Sequence, residues 1–145
     1  MDRVLVRKLR KKDAVQISRI DASITKVPHR LDFKRIAEDV TKKDGMASFV
    51  AETGGKVVAY MISDVTMGNF GTDRCAWIAM FGVDPKFMGR GIGKKLAEEI
   101  FAFHQERGIK EIYISVRWDS TDILSFCKTL GFERSEFIHL RKALS

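Results

Sequence analysis

The sequence predicts a mixed α/β fold, in which one sheet has helices packed on both faces. Three observations carry this prediction. Apolar residues recur at helical spacing in four segments, strand-like runs lie between these segments, and glycines follow where turns are needed. The predicted order of elements is roughly βααβββαβαββ, in a single domain over residues 1–145.

The chain begins with a predicted strand and two predicted helices. Val4–Arg7 is a short strand, and Asp13 offers an N-cap oxygen to the next helix, with Gln16 three residues on as in a capping box. Pro28 ends this region. The apolar residues of the first helix are Val15, Ile17 and Ile20, and those of the second are Phe33, Ile36, Ala37 and Val40.

Three strands are predicted next. Ser48–Glu52 and Lys56–Thr66 are strand-like runs joined through Thr53–Gly55, which is a good hairpin signal. A loop-like stretch, Met67–Thr72, separates them from the apolar run Cys75–Val83. Because that run is continuous rather than alternating, it indicates a strand covered on both faces.

The remaining elements alternate between helix and strand. A long amphipathic helix ends at Gly108, Glu111–Val116 is a strand, a shorter helix ends at Gly131, and Phe132–Leu140 holds two short extended segments. The long helix has the apolar residues Ile92, Leu96, Ala97, Ile100, Phe101 and Phe103, and the shorter one has Ile123, Phe126 and Leu130.

The charge balance favours an anionic partner. Lysine and arginine outnumber the acids 26 to 19, which gives a net charge of +7 and a pI near 9.6. Nucleic acid, acidic lipid and a polyphosphate cofactor all fit such an excess. The densest basic cluster, Arg7–Lys12, has no interleaved aromatic residues, so a solvated surface is favoured there over nucleic-acid binding.

Cysteine usage and hydropathy argue against several further classes. Cys75 and Cys127 stand far apart, with no CxxC pair and no histidine at metal-ligand spacing, so neither a disulfide framework nor a metal site is expected. No apolar run approaches the roughly 18 residues that cross a bilayer, and the residues after Met1 lack the apolar region of a signal peptide. We therefore expect a cytoplasmic protein without a membrane partner.

The strongest chemical signal is the segment Val83–Lys94, between a buried strand and the long helix. Its glycines remove side chains from a turn, so that backbone N–H groups point into open space. A helix that begins there leaves its first N–H groups without intrahelical partners and carries about half a positive charge. The turn therefore suits phosphate oxygens, although a tight turn with nothing bound is the alternative. The residues concerned are Gly89, Arg90, Gly91, Ile92, Gly93 and Lys94.

Two familiar phosphate-binding motifs do not fit this segment. A P-loop would need glycine where Met88 stands and serine or threonine where Lys95 stands. The dinucleotide motif GxGxxG would need a last glycine at Lys94 or at Leu96.

The segment instead resembles the acetyl-CoA signature of the GNAT superfamily, Q/R-x-x-G-x-G/A, which falls on Met88, Gly91 and Gly93 after the strand end Val83–Pro85. A second stretch, Phe126–Phe132, is similar to the helix ending FYxKxGF of that family. The element order resembles the GNAT fold over nearly the whole chain.

The resemblance implies a specific binding geometry. The strand through Phe81, Gly82 and Val83 would splay from the strand at Glu111–Val116, and pantetheine would lie in the cleft, paired with backbone groups of Phe81 and Val83. The pyrophosphate of acetyl-CoA would bind the N–H groups of Gly89–Lys94. The residues expected beside the pantetheine arm are Ser120, Ile123 and Phe126.

Two positions depart from the family pattern. Met88 occupies the Q/R position, so the phosphates must rely on backbone N–H groups and on Arg90. Cys127 stands where family members often have the tyrosine that protonates the leaving thiolate. A thiol has a reference pKa of about 8.5 and can act as an acid, whereas a cysteine on a helix is commonly a small buried apolar residue.

The general base is harder to name from the sequence. The family often places a glutamate on the strand that corresponds to Cys75–Met80, and this chain has Asp73 at the start of that strand instead. Asp73 and Cys127 are therefore the catalytic candidates. Weaker candidates for the base are His29, Asp119, Glu133 and His139.

The resemblance implies an acetyl-CoA-dependent N-acetyltransferase, of the acyltransferase class EC 2.3.1. An amine would attack the thioester directly while a backbone N–H of the splayed strand polarises its carbonyl oxygen. A small amine, a protein N-terminus and a lysine all remain open as acceptors, and so does homodimer formation. Two other classes stay open: an acyl-CoA-binding sensor without catalysis, which the missing tyrosine and glutamate favour, and a small nucleic-acid-binding protein, for which charge alone speaks.

Overall fold

The computed structural model describes residues 3–28, 30–42, 47–66 and 74–145. The chain divides into two compact units, Met1–Ser115 and Val116–Ser145. The first unit holds a sheet and three helices, and the second holds one helix. The predicted order of elements is confirmed through this last helix.

The strands of the first unit are β1 (Leu5–Lys8), β2 (Ser48–Thr53), β3 (Lys56–Thr66), β4 (Cys75–Val83) and β5 (Ile112–Ile114). The helices are α1 (Ala14–Thr25), α2 (Phe33–Lys42) and α3 (Ile92–Glu106) in the first unit and α4 (Thr121–Thr129) in the second. Among the helices of the described residues, none is both long enough and apolar enough to cross a membrane.

The five strands form one mixed sheet in the order β1-β2-β3-β4-β5. The first four strands pair antiparallel with their neighbours, whereas β4 and β5 are parallel. A parallel pair needs a crossover, and α3 provides it, since it lies between β4 and β5 in the chain. The predicted mixed α/β fold class is confirmed.

Different helices cover the two faces of this sheet. Tyr60 and Ile62 of β3 belong to a buried core formed with residues of α1 and α2. Ser63, which points the opposite way, has its Oγ 2.9 Å from Nε2 of His104 on α3. We call the face that carries Tyr60, Ile62 and the residues in register with them the α1/α2 face. The opposite face, which carries Ser63, is the α3 face.

The start of α1 differs from the prediction. Asp13 holds the N-cap position, but its side chain makes no capping hydrogen bond. Its carboxylate accepts two bonds of 2.9 Å from Arg7, and a bidentate pair with a guanidinium is stronger than a single capping bond from a backbone N–H. Gln16 accepts a 2.6 Å bond from the Val57 N–H, so the predicted capping box is wrong. Val15 is 69% exposed and lies outside the apolar face.

The pKa of Asp13 reflects this ion pair. Burial of the carboxyl favours the neutral form and so raises its pKa, but hydrogen bonds from Arg7 and from the Arg10 N–H outweigh burial. The pKa of Asp13 therefore lies below its ordinary value, and the carboxylate stays ionised as the partner of Arg7.

The second unit contains the predicted helix but lacks the two predicted extended strands. α4 ends as expected, since Gly131 has φ of 92° and the Phe132 N–H donates to the Cys127 carbonyl at 3.0 Å. Residues 132–145, all of them described, contain no regular strand. In that stretch Ile138 and Leu140 are 71% and 87% exposed. The apolar residues that suggested a strand there therefore do not form a buried face.

A buried histidine links α3 to the sheet. The Ser63 hydroxyl donates to the Ala47 carbonyl at 2.7 Å, so it must accept its second bond from Nε2–H of His104. Nδ1 of His104 has no hydrogen-bond partner among the described residues. Burial lowers the pKa of His104, nearby Arg107 lowers it further, and the charge of Asp64 opposes both.

We expect this histidine to make the fold sensitive to acid. Because its pKa is lower in the folded protein, the unfolded chain takes up the proton first as the pH falls below about 6.5. The free energy of unfolding should therefore fall between about pH 7.5 and pH 5. Urea unfolding of the parent and of His104→Gln, which does not titrate, measures this effect. Equal pH dependence in both proteins would contradict it.

Candidate active site

The candidate site begins where β4 and β5 separate. Their parallel ladder is recorded at three positions, Ala76↔Ile112, Trp77↔Tyr113 and Ile78↔Ile114, and β5 ends there. β4 continues to Val83 along β3. The β3–β4 register shifts beyond Ile78, which leaves Ala79 as an extra residue in β4. We call the space beside β4 after this bulge the opening. The ladder ends where the family resemblance implied a splay of the two strands, and that splay stays a prediction.

The backbone of β4 presents polar groups to the opening. The Asp84 N–H donates to the Val58 carbonyl at 2.8 Å, so it faces β3. Because the backbone groups of successive strand residues point to opposite sides, those of Val83 point away from β3. The same alternation turns the backbone of Phe81 toward the opening and that of Gly82 toward β3. The backbone groups of Val83 thus lie on the side where an extended ligand would run along β4.

Gly82 is required at its position by close packing. A Cβ placed there would lie 2.9 Å from Cε1 of Tyr60 and 3.0 Å from Cδ1 of Ile24 on α1. Such distances are shorter than carbon–carbon contact, so any side chain would displace α1 or the Tyr60 ring. On the α1/α2 face, helix α1 and the Tyr60 ring are therefore packed tightly against the part of β4 that lines the opening.

β4 leads into a turn in which glycine geometry is needed. A short 3₁₀ turn at Pro85–Phe87 is fixed by Asp84, whose carboxylate accepts a 3.0 Å bond from the Lys86 N–H. Gly89 and Gly91 follow with φ of 78° and 76°. These left-handed conformations strain other residues, which explains both glycines.

Helix α3 begins directly after this turn with unpaired donors. Its first intrahelical bond runs from the Lys95 N–H to the Gly91 carbonyl at 3.2 Å, and the N-cap Gly91 offers no side-chain oxygen. The N–H groups of Ile92, Gly93 and Lys94 therefore have no intrahelical partner. Together with the helix dipole they favour a bound anion.

Basic side chains surround this helix start. The exposed residues are Lys86, Arg90, Lys94 and Lys95. The guanidinium of Arg90 lies 5.0 Å from the centre of the Phe87 ring, a cation–π contact that fixes it beside the turn. The side chain of Met88 has no hydrogen-bond donor, as expected from its place at the Q/R position of the motif, and the residue is 62% exposed. Gly93 lies in the first turn of α3 and is buried.

The second unit carries the other predicted cofactor residues. Ser120 is the N-cap of α4 without a side-chain capping bond, and Ile123 and Phe126 follow at helical spacing. Ile123 is 38% exposed. Cys127 on the same helix is buried, and this burial raises the pKa of its thiol. The roles of these residues beside acetyl-CoA stay predictions.

Only some of the predicted bases lie among the described residues. Asp73 and His29 lie outside the described residues. Asp119 makes an exposed 3.0 Å ion pair with Arg117, and Glu133 and His139 are exposed. The sequence did not single out Asp64 of β3, which is in register with Trp77 on β4. Alternation along β3 from the core residue Ile62 would have placed its side chain on the α1/α2 face.

We predict that Gly82→Ala destabilises the protein by about 1–3 kcal/mol, because the added methyl overpacks against Tyr60 and Ile24. Thermal unfolding measures the loss. Adding Ile24→Val removes the Cδ1 atom in contact and should recover part of the stability. A Gly82→Ala protein as stable as the parent would contradict the packing described.

Comparisons with known proteins agree with this architecture. Residues 14–132 match the model of the acetyltransferase (GNAT) family. An uncharacterised N-acetyltransferase of Methanocaldococcus jannaschii is 33% identical over 98 residues, which are 67% of this chain and 43% of that protein. A mycothiol acetyltransferase of Amycolatopsis mediterranei is 32% identical over 91 residues, 61% of this chain and 30% of that protein. The chain thus spans less than half the length of these relatives.

A solved structure extends the likeness to the whole fold. The aminoglycoside N-acetyltransferase AAC(6')-Iy in complex with CoA superposes with a TM-score of 0.86, covering 100% of this chain and 97% of that one at 17% identity. At this identity the likeness concerns the fold alone. The family model, however, spans the strand, turn and helix of the opening as well as α4. The chain therefore belongs to the GNAT family of acetyltransferases.

Proposed function

We propose that this protein is an N-acetyltransferase that moves an acetyl group from acetyl-CoA to a primary amine. The observation that carries the proposal is the continuity of β4, the glycine turn and α3. It joins strand backbone groups at Val83 to unpaired N–H groups at Ile92, Gly93 and Lys94. Family membership supports acetyl-CoA as the donor.

The residues present fit the polar parts of acetyl-CoA. The N–H groups between Gly89 and Lys94 suit the pyrophosphate, and Arg90, held over Phe87, adds a charged donor in place of the missing side chain at Met88. Backbone groups of Phe81 and Val83 suit the amides of pantetheine. In this proposal Ser120, Ile123 and Phe126 of α4 flank the pantetheine arm.

In the proposed reaction the protein contributes mainly by positioning the two reactants. Holding an amine beside a thioester replaces an encounter in solution by a positioned reaction, which alone supplies much of the rate. A β4 backbone N–H that points into the opening polarises the carbonyl oxygen. Cys127 stands at the family's tyrosine position, but its raised thiol pKa makes it a weaker acid than an exposed thiol.

We leave the acceptor as a primary amine, on a small molecule, a protein N-terminus or a lysine. The relatives carry different names, one being a mycothiol acetyltransferase and another an aminoglycoside N-acetyltransferase, so their names do not fix one acceptor. We also propose that the protein acts in the cytoplasm and that residues 1–145 work as one domain. The missing tyrosine and glutamate speak for the inactive acyl-CoA sensor, but the matched relatives are named as acetyltransferases, which favours the enzyme.

We predict that CoA stabilises the folded protein. Only the folded turn presents its N–H groups together, so saturating CoA should raise the melting temperature by about 5–10 °C. Gly91→Val should remove this shift, because a β-branched residue resists φ of 76° and its methyl groups crowd the phosphate position.

Gly108→Val is the matched control for this experiment. Gly108 has φ of 77° at the other end of α3, so valine there imposes similar backbone strain away from the turn. This variant should melt earlier but keep its response to CoA. A parent protein whose melting temperature does not change in millimolar CoA would overturn the proposed function.

We predict that Cys127 acts in packing rather than as the proton donor. Cys127→Ala should lower stability by about 1 kcal/mol and leave turnover nearly intact, because the residue is buried on a helix. Cys127→Tyr should destabilise further through overpacking. Turnover and melting temperature are measured on the same samples. A fully stable alanine variant with turnover lowered about 100-fold would identify the thiol as the general acid instead.

A further inference from the structure

The α1/α2 face of the sheet lies on one side of the opening. On the other face α3 packs against the strands, as the contact of His104 with Ser63 shows. On the α1/α2 face, α1 approaches β4 at Gly82, where Ile24 lies. Trp77, which precedes the bulge in β4, is half-buried.

Three side chains from neighbouring strands form a row across the α1/α2 face beside the opening. Asp64 of β3 is in register with Trp77 of β4, which is in register with Tyr113 of β5. The two rings stack with centroids 5.0 Å apart and an interplanar angle of 25°. The next pair along β4 and β5 is Ile78↔Ile114, the last before the strands separate. The row therefore lies directly before the opening.

Asp64 differs from the ion-paired carboxylates of the first unit. Those carboxylates are neutralised in the pairs Arg7–Asp13 at 2.9 Å, Arg7–Glu52 at 3.4 Å and Arg30–Asp21 at 2.7 Å. No ion pair between described residues includes Asp64. Its Oδ1 accepts a 2.7 Å bond from the Val65 N–H, which leaves Oδ2 to receive a proton or a cation.

We propose that Asp64 accepts the proton of the acceptor ammonium in the acetyl transfer, through two water molecules in series; this inference rests on the proposed function. Strand spacings of about 4.8 Å and rises of about 3.3 Å per residue place its carboxylate roughly 6–8 Å from the start of the opening. That distance is too long for direct contact or for one bridging water, which spans at most about 5.6 Å, and it fits two water molecules in series. No residue of β4 is a carboxylic acid, so β4 itself cannot supply the base.

The proton balance of the reaction fits this role. The ammonium gives one proton to Asp64, and the neutral amine forms a bond to the acetyl carbon. The bond from that carbon to sulfur breaks, and the thiolate takes the second nitrogen proton to leave as CoA–SH. Asp64 then returns its proton to solvent. One proton is released for each acetyl group transferred.

Asp64→Asn tests the proposal, because the amide oxygen keeps the bond from the Val65 N–H but cannot take the proton. The acceptors are butylamine, a strong base, and glycinamide, a much weaker base that is more often neutral near pH 8. The kcat/KM of Asp64→Asn for butylamine should fall about 100-fold. For glycinamide the fall in kcat/KM should be smaller by a factor of about five or more. The reason is that a smaller fraction of this amine is protonated and has to lose a proton before it reacts.

Two further variants separate proton transfer from structure. Asp64→Glu should recover most of the rate, since it restores a carboxylate. Glu52→Gln removes an ion-paired carboxylate on a strand away from the opening, and it should leave kcat/KM for both amines unchanged. Affinity for CoA, measured by calorimetry, should be the same in Asp64→Asn as in the parent.

Equal losses for both amines in Asp64→Asn, weaker CoA binding, or unchanged activity would each overturn the role of Asp64. Failure of the proposed function gives a different result. In that case the parent protein acetylates neither amine, and the role of Asp64 falls with the function.

Discussion

The parallel ladder between β4 and β5 stops at Ile78↔Ile114, and the candidate site depends on this termination. Had β5 continued, its backbone would pair with the groups that β4 turns toward it, including those of Val83. Because β5 stops, β3 is the strand that pairs with β4 beyond this point among the described residues. The other side of β4 is where the proposed ligand would run. The bulge at Ala79 marks the position where the sheet gives way to the opening.

The same strand also sets the position of the turn that we propose to bind the phosphates. Val83 leads into the turn within a few residues, so the start of α3 is fixed relative to the opening by covalent connection and by the Asp84 bond to Val58. Tight packing of Gly82 against Tyr60 and Ile24 holds this part of β4 in place. An extended ligand with an anionic end matches such a combination of strand edge and helix start.

Sequence reasoning found features that depend on neighbouring residues in the chain. The glycine turn, the ends of α3 and α4 and the buried run of β4 follow from local spacing. It was wrong at Asp13 and Gln16, whose partners Arg7 and Val57 lie on other elements. It also missed Asp64, because its position beside Trp77 arises from strand register. Tertiary partners decide such cases, and a local pattern does not contain them.

The central claim is that β4 beyond its bulge and the start of α3 form one binding surface for CoA. Titration of the ¹⁵N-labelled protein with CoA, followed through backbone amide chemical shifts, tests it most directly. The account predicts that the largest changes occur together at Val83 and at the amides from Gly89 to Lys94. Saturating CoA that shifts other amides and leaves these unchanged would contradict it.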